Sequence, residues 1–332
     1  MQKFAVRRTL ASMTTSAVLF AILGISGAVA QQTDVRFRME WIPNGMYAPF
    51  FYAIDSGFYR EQGINLEMLN GNGSLAAIEE VAAGKSEFAM ASCGALATAI
   101  SKGRPIVSIA QYTAKYSWGF YVPKDSGIVK FSDLAGRSVV MSPGSSEAIL
   151  LPTVFDAAGL AQNAMRWVSV DPSQKIATYA RGQGDSVVTT VAYGDPLVQE
   201  ARPSNVLLWA DAGFTMPDYC LLTNTSTIKD SPELVRKFLA GTFKGIEEGK
   251  KKPNEAVAAA LKMRPLIKQE PTARQWELTT QFLHSDNAKD CAIGWHVPKD
   301  WEIGLATLRK ANALDGKEIE PTRFYTNEFV KC

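Results

Sequence analysis

The residues best equipped to hold a small molecule stand at the ends of apolar runs. Gly71-Asn72-Gly73-Ser74 separates an alternating apolar stretch from a helical pattern. A loop so placed turns backbone N–H groups and a helix N-terminus toward an acceptor or anionic group of a ligand, and it serves equally as a plain strand-to-helix connection. The spacing G-x-G-x-x-G is absent, which removes a dinucleotide fingerprint. Ser142, Gly144, Ser145 and Ser146 form a second such helix entrance, where Ser145 and Ser146 are also good N-caps without any ligand. Aromatic residues gather at comparable places: Trp41, Tyr47, Tyr112, Tyr116, Trp118 and Tyr193 are expected at strand ends or in the loops that follow. A flat heterocycle fits between two rings, each offset stack contributing ~0.5–1.5 kcal/mol beyond burial. Trp41 and Tyr193 are the leading stacking candidates, whereas Phe50, Phe51 and Phe58 read as core. Asp195, in Tyr193-Gly194-Asp195-Pro196, offers a carboxylate able to accept paired hydrogen bonds, or else an N-cap for the next helix. Asn44, in the turn Ile42-Pro43-Asn44-Gly45, and Ser92, at a strand end, complete the candidate set with Gly73, Ser74, Tyr112, Ser145 and Ser146.

Other chemistries find little material. The two histidines, His284 and His296, lie near no Ser or Cys nucleophile motif and are expected in loop or helix-surface positions. The four cysteines are widely separated and no metal-ligand spacing occurs, so neither a metal nor a cofactor is expected. Residues 1–30 hold three of the 35 basic residues and none of the 33 acidic ones, which leaves the remainder one charge negative. Such a balance lacks the electrostatic footprint of nucleic-acid binding. Arginine is scarce in the candidate loops, a mild argument for a neutral or weakly charged aromatic ligand over an anionic one. Lys250-Lys251-Lys252 reads as a solvated helix end, where the dipole favours positive charge.

Lys3, Arg7 and Arg8, the apolar stretch from Ala17 to Ile25, and Ala28-Val29-Ala30 before two glutamines read as a secretory signal peptide cleaved after Ala30. The apolar run is short of the ~20 residues that span a bilayer, and Ser26 and Gly27 break it. A soluble, periplasmic protein is expected. In that oxidising compartment four cysteines allow three pairings, of which Cys291–Cys332 is preferred; Cys93 and Cys220, set in apolar runs, read as small buried hydrophobes.

Strands and helices must position these residues, and they alternate along the chain. Val35, Phe37, Met39 and Trp41 alternate as in a strand; a helix over Ala48–Ser56, a strand over Ile64–Leu69, a helix over Leu75–Ala83, a strand over Phe88–Ser92, a helix over Ala95–Lys102 and a strand over Ile106–Tyr112 follow. A second, smaller unit has strands at Ser138–Ser142, Met165–Val170, Val187–Tyr193 and Val206–Ala210, with helices from Ser145 to about Ala158 and over Ser173–Arg181. After Tyr219–Thr223 the chain turns helical, near Pro232, Asn254–Met263, Thr272–His284 and Trp301–Ala313. The expected fold is α/β, with two lobes of mostly parallel sheet flanked by helices and a ligand cleft between them. Residues 31–118 and 222–332 are assigned to the first lobe, and 119–221 to the second.

Trp41-Ile42-Pro43-Asn44, Ala48-Pro49-Phe50-Phe51-Tyr52-Ala53, Gly57-Phe58-Tyr59-Arg60-Glu61-Gln62-Gly63-Ile64 and Gly71-Asn72-Gly73-Ser74 form a block that resembles the solute-binding proteins of ABC importers for nitrate, alkanesulfonates, taurine and thiamin-pyrimidine precursors. Phe131-Ser132-Asp133-Leu134-Ala135-Gly136, the segment Ser231–Phe238 and the segment Phe324–Phe329 extend the likeness over most of the chain, and the Trp-x-Pro-Asn start is most similar to the pyrimidine-precursor branch. The resemblance implies a periplasmic binding protein fold of type II, a heterocycle such as formylaminopyrimidine as ligand, an ABC permease as partner and a monomer. Aromatic carboxylates, sulfonates and flavins are the rival ligands. The same branch includes a pyrimidine synthase, whose chemistry requires a His three residues after the Asn and a downstream cysteine-rich stretch. Here that position is Tyr47 and no such stretch exists, so a binding protein is expected and not an enzyme.

Overall fold

The computed structural model describes residues 1–2, 32–288, 290–315 and 319–332; the expected signal peptide and its cleavage after Ala30 lie outside them. In the first lobe β1 (Thr33–Arg38), α1 (Ala48–Asp55), α2 (Phe58–Glu61), β2 (Ile64–Leu69), α3 (Ser74–Ala82), β3 (Phe88–Ser92), α4 (Cys93–Ser101) and β4 (Ile106–Thr113) follow in order. The second lobe holds β5 (Trp118–Pro123), β6 (Ser138–Met141), α5 (Ser146–Ala157), β7 (Arg166–Ser169), α6 (Lys175–Ala180), β8 (Ser186–Thr190), α7 (Val191–Ala201) and β9 (Ser204–Leu208). The chain then returns through β10 (Tyr219–Asn224) and ends in α8 (Thr225–Asp230), α9 (Pro232–Lys251), α10 (Pro253–Met263), α11 (Gln269–Thr280) and α12 (Pro298–Lys310).

Each lobe carries a five-stranded sheet, ordered β2-β1-β3-β10-β4 and β7-β6-β8-β5-β9. Strand β1 pairs in parallel with β2 from Thr33↔Ile64 to Arg38↔Leu69. The parallel pattern is broken once per sheet: β10 runs antiparallel to β3 and β4, and β5 antiparallel to β8 and β9. Both exceptions are strands that enter from the other lobe, so they record the two crossings. Asp218 fastens these crossings together. Its carboxylate accepts from Ser117 Oγ at 3.0 Å and Trp118 Nε1 at 2.7 Å, and its backbone N–H donates to the Thr113 carbonyl at 3.1 Å.

Helices α9 and α10 cover the first lobe, whereas α11 also packs against α7 of the second. Val235, Phe238, Leu239, Thr242 and Ile246 recur at helical spacing on α9 and are buried. Phe238 lies on Phe88, ring centroids 4.1 Å apart, and also packs against Phe37 and Tyr59. Among the described residues no helix is long and apolar enough to cross a membrane.

Four sequence expectations need correction. Trp118 opens β5, a wholly buried strand that the sequence reading lacks, because a strand covered on both faces shows no alternation. Strand β8 ends at Thr190, whose hydroxyl accepts from the Tyr193 N–H, so Tyr193, Gly194 and Asp195 belong to a helix and not to a strand end. His296 is fully buried, with Nδ1 accepting from Trp301 Nε1 at 3.1 Å and Nε2 3.1 Å from Ser108 Oγ. Cys93 and Cys220 form a disulfide, Cα atoms 5.2 Å apart, since the β10–β3 register sets Cys220 opposite Ala91 beside the start of α4. A second disulfide joins Cys291 and Cys332.

The Cys93–Cys220 bridge spans 127 residues, a stretch that contains the whole excursion through the second sheet. Replacing both cysteines by alanine is therefore expected to cost about 2–5 kcal/mol of stability, mostly through the unfolded chain. Denaturant unfolding checks this, and a variant as stable as the oxidised parent contradicts it.

Candidate functional site

The carboxyl ends of the central strands and the N-termini of α3, α5 and α7 converge between the lobes, the usual place for a ligand in an open α/β sheet. A small cavity of about 20 Å³ lies there. The first lobe lines it with Glu40, Trp41, Asn44, Met46, Tyr47 and Met90, and the second with Glu147, Lys175, Thr189, Thr190 and Tyr193; Trp118 and Tyr219 come from the crossings.

The Glu40-Trp41 segment is held by its neighbours. The Tyr47 hydroxyl accepts the backbone N–H groups of Glu40 at 2.9 Å and Trp41 at 3.1 Å. Gly71 and Gly73 donate their N–H groups to the Trp41 and Glu40 carbonyls at 3.1 and 2.8 Å. Those glycine donors are thus consumed within the protein, which corrects the reading of this loop as an N–H cradle for a ligand. Asn44 shapes the next turn, with Oδ1 accepting from Met46 N and Nδ2 donating to the Ile42 carbonyl. Gln275 of α11 then bridges the lobes: Oε1 accepts from Gly45 N at 2.8 Å and Nε2 donates to the Tyr193 carbonyl at 2.8 Å.

Serines close the cleft. Glu40 Oε1 accepts from Ser74 Oγ of the first lobe and Ser146 Oγ of the second, each at 3.0 Å, and the two hydroxyls stand 2.6 Å apart. Gly73 runs against the second lobe with φ +109, and a Cβ there would stand 2.7 Å from the Gly144 carbonyl oxygen. Only glycine permits that approach. Ser92 donates its backbone N–H to Ser74 Oγ and caps α4, while Ser145 caps α5. Tyr112 is buried beside Phe50 and donates to the Met46 carbonyl. Of the residues singled out from sequence, the structure brings Trp41, Asn44, Tyr47 and Tyr193 to the cavity wall, and sets Gly73, Ser74, Ser92, Tyr112, Ser145 and Ser146 behind it.

Asp195 does not line the cavity; its Oδ1 accepts from Gln199 Nε2 at 3.2 Å, one turn further along α7. Asp195→Asn is accordingly expected to leave ligand affinity within about threefold of the parent, a change of ~0.6 kcal/mol. A larger loss in calorimetry contradicts this placement.

The acids that do reach the cavity were not singled out by the sequence reading. Burial pushes the Glu40 carboxyl up to about 7, reinforced by the negative charge of Glu147 and opposed by the Ser146 and Ser74 hydroxyls and by Lys175. Glu147 pairs with Lys175, and both side chains are almost fully buried. The Lys175 ammonium also lies 5.2 Å from the centroid of the Trp41 ring. Tyr193 is pushed up to about 12, chiefly by burial. One clue was available in the sequence: Lys175 begins a helix, where the dipole disfavours a cation unless a carboxylate such as Glu147 meets it.

These shifts set the pH dependence of the ligand-free protein. Burial raises Asp218 to about 7, as it does Glu40, and lowers His296 to about 3. Below pH 7 the folded state therefore keeps protons on Glu40 and Asp218 that the unfolded carboxyls have lost, while the unfolded His296 and, to a smaller extent, His284, which burial also lowers, gain them. The folded state binds more protons overall, so stability falls as pH rises through this interval. Thermal unfolding is expected to give a higher Tm at pH 5.5 than at pH 7.5, with a smaller difference in Glu40→Gln. A Tm that rises over the same interval contradicts the assignment.

Comparison with known proteins identifies the family. The model of the family described as NMT1/THI5 like matches residues 44–256. The chain belongs to the NMT1/THI5-like family. A riboflavin-binding protein of Chloroflexus aurantiacus is 22% identical, over 90% of this chain and 86% of that one. A 4-amino-5-hydroxymethyl-2-methylpyrimidine phosphate synthase of Legionella pneumophila is 24% identical, over 90% and 93%. A formylaminopyrimidine-binding protein of Halalkalibacterium halodurans is 22% identical, over 87% and 89%. Among solved structures, the alkanesulfonate-binding protein of Xanthomonas axonopodis pv. citri superposes with a TM-score of 0.68 at 12% identity, covering 89% of this chain and 99% of that one. A Candida albicans protein described as having the generic periplasmic binding protein fold gives 0.65 at 13%, over 86% and 92%. This NMT1/THI5-like chain has the periplasmic binding protein fold, as the sequence block implies.

Proposed function

We propose that this protein is the exported solute-binding component of an ABC import system. Cleaved after Ala30 and acting as a monomer, it captures a small, planar, amino-substituted heterocycle of the thiamin-pyrimidine-precursor kind and hands it to an inner-membrane permease. The observation that carries this reading is one cavity lined by the Trp41 ring and by two buried carboxyl groups, Glu40 and Glu147. A ring stacks on the indole, and its amino and ring N–H groups find acceptors in the carboxylates. A binding role is also favoured by Tyr47, whose hydroxyl is engaged by two backbone N–H groups where the synthase pattern requires a His. Closure of the two lobes, 31–118 with 222–332 against 119–221, buries the ligand and forms the surface that the permease reads.

A differential scanning fluorimetry screen of pyrimidines, sulfonates, aromatic acids and flavins tests this. A true ligand at 100 times its Kd adds ~2.7 kcal/mol of stability. An aminopyrimidine is expected to give the largest shift, and a sulfonate or a flavin shifting Tm while pyrimidines do nothing overturns the assignment.

A further inference from the structure

We propose that Lys175 is a tethered occupant of the ligand position, its ammonium group standing where a cationic or amino-bearing edge of the ligand will stand over Trp41 and against Glu147. The site then selects planar ligands that carry such an edge, and Lys175 swings away when one enters. This rests on the binding role proposed above.

Three observations converge. The ammonium lies over the Trp41 face at 5.2 Å from its centroid, a cation–π distance, so that face cannot at the same time hold a planar ligand. Lys175 is 3% exposed, and its charge is tolerated there because Glu147 of the same lobe pairs with it. Finally, Glu40 and Glu147 are the acids lining the cavity and Lys175 is the basic residue among its lining. Once the lysine withdraws, two carboxyl groups remain without a cation. A ligand with a protonated amine restores the balance, whereas an anion adds a third acidic group. The flexible four-carbon stem of lysine suits a group that leaves and returns. Lobe opening gives it water to leave into.

The test is calorimetry on the mature chain and on Lys175→Met. The probes are 4-amino-5-aminomethyl-2-methylpyrimidine, protonated on its amine, its neutral 5-hydroxymethyl counterpart, and benzenesulfonate. The variant is expected to bind the cationic pyrimidine at least tenfold more tightly than the parent does, to gain less for the neutral one, and to bind benzenesulfonate no better. Pyrimidine binding that Lys175→Met weakens or leaves unchanged overturns the inference alone, making the lysine a direct ligand contact or a bystander. Sulfonate binding that the variant abolishes makes Lys175 an anion anchor and also overturns it. Absence of heat from either pyrimidine, in parent and variant, removes the binding role and the inference together. Should Lys175→Met not fold, Lys175→Met combined with Glu147→Gln removes both charges at once. The cationic probe must then lose its advantage over the neutral one, and an advantage kept at its wild-type size overturns the proposal.

Discussion

Glu147→Ala is expected to destabilise the closed, ligand-free form by about 3–5 kcal/mol, the cost of leaving a buried charge without its partner. The charge left behind is Lys175, which is almost fully buried against the first lobe's Trp41. Both members of the pair belong to the second lobe, so separation of the lobes lets water reach the stranded ammonium. The variant is therefore expected to respond by opening. Small-angle scattering should show a larger radius of gyration than the parent's, and denaturant unfolding a lower midpoint. Adding Lys175→Met should recover most of the loss, because the uncompensated charge then disappears; a double-mutant cycle measures that coupling. A Glu147→Ala protein as compact and as stable as the parent would show that the pair contributes nothing to closure.

Trp41→Ala carries the second large effect. The indole is 7% exposed and forms one wall of the cavity, its backbone N–H fixed by the Tyr47 hydroxyl. Truncating an aromatic anchor in a desolvated pocket typically costs 2 kcal/mol or more, here roughly a thirtyfold loss of affinity for an aminopyrimidine. Ligand-dependent quenching of tryptophan fluorescence should weaken with it. A folded Trp41→Ala protein with parental affinity would move the ligand off this wall.

Much of the architecture was legible in the chain. Ile64–Leu69 alternates buried and exposed residues, and Phe88–Ser92 is a short apolar run between polar flanks, so both strands stand where the sequence reading puts them. What escaped it depends on the second lobe. Strand β5 has no polar face to reveal it, and α7 contains Gly194 and Pro196, which read locally as breakers although the Thr190 cap and the packing of α11 sustain a helix there. Cavity-lining residues were legible where side-chain type suffices, as for Trp41 and Tyr193. Glu40 was not, because it stands at a polar position of the Val35-Phe37-Met39-Trp41 alternation, and only the apposed serines of α3 and α5 enclose its carboxyl. Glu147 has the sequence position of an ordinary dipole-matching acid in a first helical turn, and only its pairing with Lys175 on a different helix marks it out.

Titrating formylaminopyrimidine into the protein by calorimetry tests the central claim most directly. The account predicts saturable one-to-one binding with a negative heat-capacity change, as expected when a planar ring is buried between closing lobes. No heat from formylaminopyrimidine, together with saturable binding of an alkanesulfonate under the same conditions, would contradict it.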